Sequence, residues 1–157
     1  MEQMDVMLLI GQSNAKGCGD PEKSPLPLKN HYEFVENMTG CAVIPMGVTL
    51  QCSEGRGTLA PGFALEWTRL TGHNLCVVHG AVDGSRIKNW VQDEHHYLEE
   101  MATKLEHGIQ HLKAQGWEIG HVFALWVQGE SDAKYGTDPL YYAQRLQEIG
   151  FILTQRG

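Results

Sequence analysis

Three short apolar runs, at residues 5–10, 75–82 and 121–127, constrain the fold of this 157-residue chain more than any other feature. Each is nearly continuous in apolar residues, and each stops abruptly at a polar loop that carries glycine. Runs of this kind suit parallel strands covered on both faces, which have no solvent side on which to place alternating polar residues. Helical patterns separate them. Pro61 opens one, with Phe63, Trp67 and Leu70 at helical spacing toward the core and Gly72 as its end. Leu98, Met101, Leu105, Ile109 and Leu112 make the apolar face of a second, which ends near Gly116. Asp138 caps and Pro139 starts a third, with Tyr142, Leu146, Ile149 and Leu153 on its inner face.

This alternation predicts a doubly wound α/β domain, a three-layer α/β/α sandwich around a flavodoxin-like parallel sheet, with residues 1–157 as a single domain. After the first strand comes an irregular excursion through Pro21, Pro25 and Pro27. Strand-like runs at 32–36 and 41–46 lie within it, and Asn37-Met38-Thr39-Gly40 between them predicts a β-hairpin. The loop at 49–58, with Gly55 and Gly57, reads as mobile.

The net charge of −7, with no basic cluster to offset it, excludes a nucleic-acid partner. No apolar run approaches the ~20 residues that span a bilayer, so no membrane partner is expected. Glu2 and Asp5 stand where a signal peptide would be basic, and the expected location is cytoplasmic. Cys18, Cys41, Cys52 and Cys76 have no C-x-x-C spacing and read as reduced thiols.

In such a sheet the carboxyl ends of all parallel strands share one edge, so three loops converge there. The first, Gly11-Gln12-Ser13-Asn14, puts a serine where a strand turns into a loop, a position suited to a nucleophile. The others are Asp83-Gly84-Ser85-Arg86 and Gln128-Gly129-Glu130-Ser131-Asp132. An attacking serine needs donors for the developing oxyanion, and the N–H groups of Ser13 and Gly84 and the Gln128 amide are candidates. A phosphate loop does not fit, because Lys16 is followed by Gly17 and Cys18; a dinucleotide fingerprint fails at Glu22.

The three loops resemble the sequence blocks of the SGNH hydrolases. More narrowly they resemble the sialate O-acetylesterase and acetyl-xylan esterase branch, carbohydrate esterase family six. Ala81-Val82-Asp83-Gly84-Ser85 with Trp90 is similar to the second block, and Trp126-Val127-Gln128-Gly129-Glu130-Ser131-Asp132 to the third. Pro61-Gly62-Phe63-Ala64 resembles the helix-opening segment between the first two. The resemblance implies the SGNH fold, Ser13 as nucleophile, Gly84 and Gln128 in the oxyanion hole, and Asn14 and Glu130 as supports of the pocket. It implies an O-acetylated sugar of sialic acid or xylan type as substrate, and neither metal nor organic cofactor. Arg86 is a candidate for a sialic acid carboxylate, against the reading of a solvated loop residue.

Two positions depart from the family pattern: Val127 replaces a histidine and Asp83 a glycine. The family's base comes from an Asp-x-x-His block after a further strand, and the chain stops at Gly157, before such a block. The expectation is therefore a C-terminally incomplete domain without its last strand, whose third apolar strand becomes an uncovered edge open to self-association. Asp93 and His96 fit Asp-x-x-His as letters but out of the family's order. His79 reads as a core histidine, and His31 and His73 lie in or beside loops. His107 and His111, with no carboxylate or cysteine at ligand spacing, read as a solvated helix face. Two functions stay open: a serine esterase acting through an acyl-enzyme, and a catalytically silent sugar-binding or scaffold protein of the same fold.

Overall fold

A computed structural model of the chain describes residues 2–91 and 95–156. In chain order the strands are β1 (Gln3–Gly11), β2 (His31–Asn37), β3 (Gly40–Pro45), β4 (Asn74–Ala81) and β5 (Glu118–Val127). The helices are α1 (Ser13–Lys16), α2 (Ala60–Thr71), α3 (Ile87–Val91), α4 (Tyr97–Ala114), α5 (Glu130–Lys134) and α6 (Pro139–Arg156). One five-stranded sheet runs β3-β2-β4-β1-β5. β4 is the middle strand; β1 is the next, parallel to β4 on one side and to the edge strand β5 on the other.

β1 is buried from Met4 to Gly11 because both of its faces are covered. Met4, Val6, Leu8 and Ile10 face a layer that includes Trp90, Leu98, Leu105, Leu112 and Ile149 of α3, α4 and α6. Met7 and Leu9 face Ala15, Ala60 and Ala64 of α1 and α2. Removing such side chains from water stabilises the fold by roughly 1.5–3 kcal/mol each. The result is the predicted sandwich, and no helix among the described residues is long and apolar enough to cross a membrane.

Four details differ from the sequence reading. The sheet is mixed rather than wholly parallel, since a two-residue turn returns β3 antiparallel to β2, with Asn37 Oδ1 accepting the Thr39 N–H at 2.9 Å. Leu70 is 67% exposed, because α2 presents its small residues Ala60 and Ala64 to the sheet and Leu70 falls off that face. Leu146 is also exposed, and Ile149 is the buried residue of α6. The loop at 49–58 is tied down: Gly57 exchanges backbone hydrogen bonds with Gly19, and buried Ser53 bonds the backbone of Leu50.

Candidate active site

The site begins where β1 gives out. A Cβ on Gly11 would lie 1.9 Å from the Val127 carbonyl oxygen, so only glycine lets β1 and β5 close here. The Gln12 N–H then donates to Val127 O, and the Val82 N–H to Gly11 O, both at 3.0 Å. The first loop is thereby clamped between the ends of β4 and β5. Ser13 opens the single turn of α1, half-buried. Among the described residues, neither its N–H nor that of Gly84 is bonded to another backbone carbonyl.

His79 of β4 supports this turn from below. Its ring is fully buried and Nε2 donates to Ala15 O at 2.8 Å, leaving Nδ1 without a partner. Burial pushes its pKa down to about 4, against the pull of the Ala15 hydrogen bond, with Lys104 and Lys16 adding to the depression. It is a neutral core histidine that fixes the turn, as its place in the strand suggested.

The second loop carries Gly84 at φ 67°, exposed, where a side chain would meet nothing; the backbone conformation, not space, calls for glycine. Asp83, the departure from the family pattern, lies 3.1 Å from Lys16 Nζ, which also meets Glu54 at 3.0 Å. Hydrogen bonds to Glu54 and Asp83 raise the Lys16 pKa, so this amine is held charged beside the serine's turn. Ser85 is buried: its hydroxyl accepts from Trp90 Nε1 at 3.1 Å, and its carbonyl from Gln128 Nε2 at 2.9 Å.

The third loop is sewn to the first. Gln12 Oε1 accepts the N–H groups of Gly129 and Ser131 at 3.3 and 3.2 Å, and Gln12 Nε2 donates to Ser131 Oγ at 3.0 Å. Asn14 Nδ2 donates to Glu130 Oε1 at 3.1 Å, which brings the two supporting residues together. Asp132 is buried and accepts from Ile87 N at 2.9 Å, Gln128 Nε2 at 2.6 Å and Thr137 Oγ1 at 2.7 Å. Gln128 directs its amide nitrogen at Ser85 O and Asp132, and takes the Tyr142 hydroxyl on Oε1 at 2.8 Å. In this arrangement it braces two loops, and must exchange a partner before it can donate to an oxyanion. A cleft of about 320 Å³ opens beside it, lined by Gly129, Asp132, Thr137, Pro139 and Tyr142.

Gln12 and Asp132 received no role from the sequence, although both stand inside the quoted blocks. Asp132 sits one helical turn beyond Gln128, a spacing at which side chains meet, and that is the signal that could have marked it.

The other candidates lie elsewhere. Arg86 is not a solvated loop residue: its guanidinium stacks 5.0 Å over the Tyr135 ring and donates to Thr137 Oγ1 at 3.3 Å. Asp93 falls outside the described residues. His96 is exposed, 3.8 Å from Glu99. Among the described residues, no imidazole bonds the Ser13 hydroxyl. His107 and His111 do have ligand-type neighbours, because the β2–β3 hairpin folds over α4. Glu36 lies 2.6 Å from His107 Nδ1 and Cys41 Sγ 3.5 Å from His111 Nδ1. His31 is buried, accepting the Leu28 N–H at 3.0 Å and paired with Thr68 at 2.8 Å. His73 is bonded to Asp5 at 2.8 Å, at the amino end of the sheet.

A mixed α/β sheet thus carries three interlocked polar loops at its carboxyl edge. The family model described as carbohydrate esterase, sialic acid-specific acetylesterase, matches residues 3–153, and the chain belongs to that family. Among solved structures, a protein from Arabidopsis thaliana superposes with a TM-score of 0.62 at 20% identity, over 97% of this chain and 68% of that one. A carbohydrate acetylesterase from Xanthomonas citri superposes with a TM-score of 0.55 at 20% identity. That match covers 97% of this chain but 38% of its own length. At these identities the likeness concerns the fold. No curated protein matches the chain.

Proposed function

We propose that the chain is a serine esterase domain that removes O-acetyl groups from a carbohydrate of sialic acid or xylan type. Ser13 Oγ attacks the acetyl carbonyl and its proton passes to a base; the oxyanion that forms is met by the N–H groups of Ser13 and Gly84. Collapse expels the sugar hydroxyl, which takes that proton, and water then releases acetate from the serine ester. Gln128 joins as a third donor once it exchanges its bond to Ser85 or Asp132. Four free thiols fit a reducing, cytoplasmic setting.

The observation that supports this reading is that the loops bearing the half-buried Ser13 and Gly84, whose N–H groups have no carbonyl partner among the described residues, are sewn together at one sheet edge. β5 ends the sheet with no fully buried residue along its length, an edge open to pairing with added chain or a second copy.

The test is acetate release from O-acetylated sialic acid and xylan oligomers, with Ser13→Ala beside the wild type. Serine-dependent turnover is expected, and Ser13→Ala abolishes it to background. A second reading rests on two observations: the Gln128 amide is fully engaged, and no imidazole among the described residues reaches Ser13. It is a silent sugar-binding domain, for which both proteins would bind the sugar equally and neither would release acetate.

A further inference from the structure

The amino edge of the sheet, opposite Ser13, holds a group that the esterase reading does not use. Asp5 sits on β1 with zero exposure, the one charged residue in a strand otherwise packed into the core. Its carboxylate draws on three neighbouring elements. Trp67 of α2 donates from Nε1 at 2.9 Å, and His73, just before β4, places Nδ1 at 2.8 Å. His121 of β5 donates its backbone N–H at 2.8 Å and places its own Nδ1 at 3.4 Å.

Two local irregularities build this arrangement. Between the pairs Met4↔Ile119 and Val6↔Val122 the β1–β5 register shifts, so two residues, Gly120 and His121, oppose Asp5 alone. A bulge of this kind re-aims a side chain, and here it turns the His121 ring onto the carboxylate of the adjacent strand. Gly120 leaves the room: a Cβ there would lie 2.4 Å from Asp5 Oδ1. The rings of His73 and His121 stack at 5.7 Å and 14° over the same carboxylate, one half-buried and one exposed.

We infer that Asp5, His73 and His121 form a Zn²⁺-type metal site at the amino edge of the sheet, with a fourth position open to water. One ligand atom from each residue lies within 4.8 Å of the others. Zinc–ligand bonds of about 2.0–2.2 Å put the ligands of a tetrahedral ion roughly 3.3 Å apart. The His121 Nδ1 to carboxylate distance of 3.4 Å already matches, and the 2.8 Å of His73 must open slightly. Each imidazole binds through Nδ1 as the neutral ring, its remaining proton on Nε2. The Trp67 and His121 N–H bonds stay on the carboxylate and hold it in place, the supporting shell such sites need. Two imidazoles and one carboxylate suit zinc better than magnesium or calcium, which prefer oxygen alone.

The experiment is titration of the full chain, cleared of metal by chelator, with Zn²⁺ at neutral pH by calorimetry, and with Co²⁺ by absorption. The expected result is one equivalent bound at micromolar Kd or tighter. His121→Ala and His73→Ala each weaken binding at least tenfold, and Co²⁺ gives visible bands without a thiolate charge-transfer band. His121 is exposed, so its variant should fold, and an unchanged metal-free Tm checks this. The Tm rises with Zn²⁺ in the wild type and not in His121→Ala. His107→Ala/His111→Ala controls for the helix pair beside Cys41 and Glu36, and should bind as the wild type does. Absence of binding at 100 µM Zn²⁺ overturns the site, as does binding that survives both single variants or is lost in the control.

Discussion

The two ends of β1 solve opposite problems with the same device. At the carboxyl end, Gly11 on β1 gives up its side chain so that the main chain of β5 can close against it. At the amino end, Gly120 on β5 gives up its side chain so that a carboxylate of β1 can be buried. The first end is a contact between backbones, which have no rotamers to yield; the second places a side chain that can shift. One end is thereby rigid and presents a serine, and the other is adjustable and gathers imidazoles.

The largest effect should follow from filling these two spaces. Gly11→Ala meets a backbone oxygen and a φ of 142°, and is expected to cost at least about 3 kcal/mol, enough to unfold a domain of ordinary stability. Gly120→Ala meets side-chain rather than backbone atoms, of Asp5 and Gln3, and should cost about 1–3 kcal/mol. Urea unfolding of both variants checks the order. A Gly11→Ala protein more stable than Gly120→Ala would break the comparison.

Acid separates the two ends next. His79 has a folded pKa of about 4 against an ordinary value of 6.5. The unfolded chain thus binds more protons between these values, and stability rises with pH there. The contribution is complete above about pH 6.5 and lost as pH falls toward 4, about 3 kcal/mol in all. His79→Gln keeps a donor for Ala15 O and cannot titrate, so its stability profile should be flatter by that amount between pH 6.5 and 4. An unchanged slope would remove His79 from the account. Asp5 behaves differently: burial opposes its charge, but hydrogen bonds from His121, His73 and Trp67 outweigh that and lower its pKa below 3.8. Its stabilisation is present above the unfolded value and lost only at lower pH, so the amino end should outlast the carboxyl end in acid.

The smallest effect concerns Lys16 and Asp83. Their ion pair spans the first two loops at 3.1 Å, but Asp83 is largely exposed. A double-mutant cycle should give a coupling of about 0.2–1 kcal/mol that fades with added salt. A salt-insensitive value would mean the loops are joined by something other than charge.

How far the sequence could be read follows the same division. The carboxyl edge was legible because its parts are contiguous: each block sits directly after an apolar run, and order along the chain carries the meaning. That the loops carrying Ser13, Gly84 and Gln128 meet at one edge needed only the rule that parallel strands share it, whereas the contact between Asn14 and Glu130 was not read. What was not legible depends on registers that no local pattern encodes. Asp5 reads as a polar residue at the mouth of a strand, and only the bulge opposite it brings His121 within reach. The neighbours of His107 and His111 come from a hairpin some seventy residues earlier, so spacing along α4 held no hint of Glu36 or Cys41. Leu70 and Leu146 follow helical spacing faithfully, yet lie outside faces that Ala60, Ala64 and Ile149 define.

The position of β1 also bears on how the chain is made. β1 precedes both of its sheet neighbours along the chain, and they come late: Met4 pairs with Asn74 on one side and Gln3 with Glu118 on the other. At a ribosomal rate of about 5–20 residues per second, β1 waits on the order of ten seconds for its second neighbour. Its wait is that of the most apolar stretch in the chain, held unpaired while everything it will be buried against is still being translated. Nonlocal pairing of this kind slows folding, and it makes the nascent chain a client for whatever shields apolar segments at the ribosome exit.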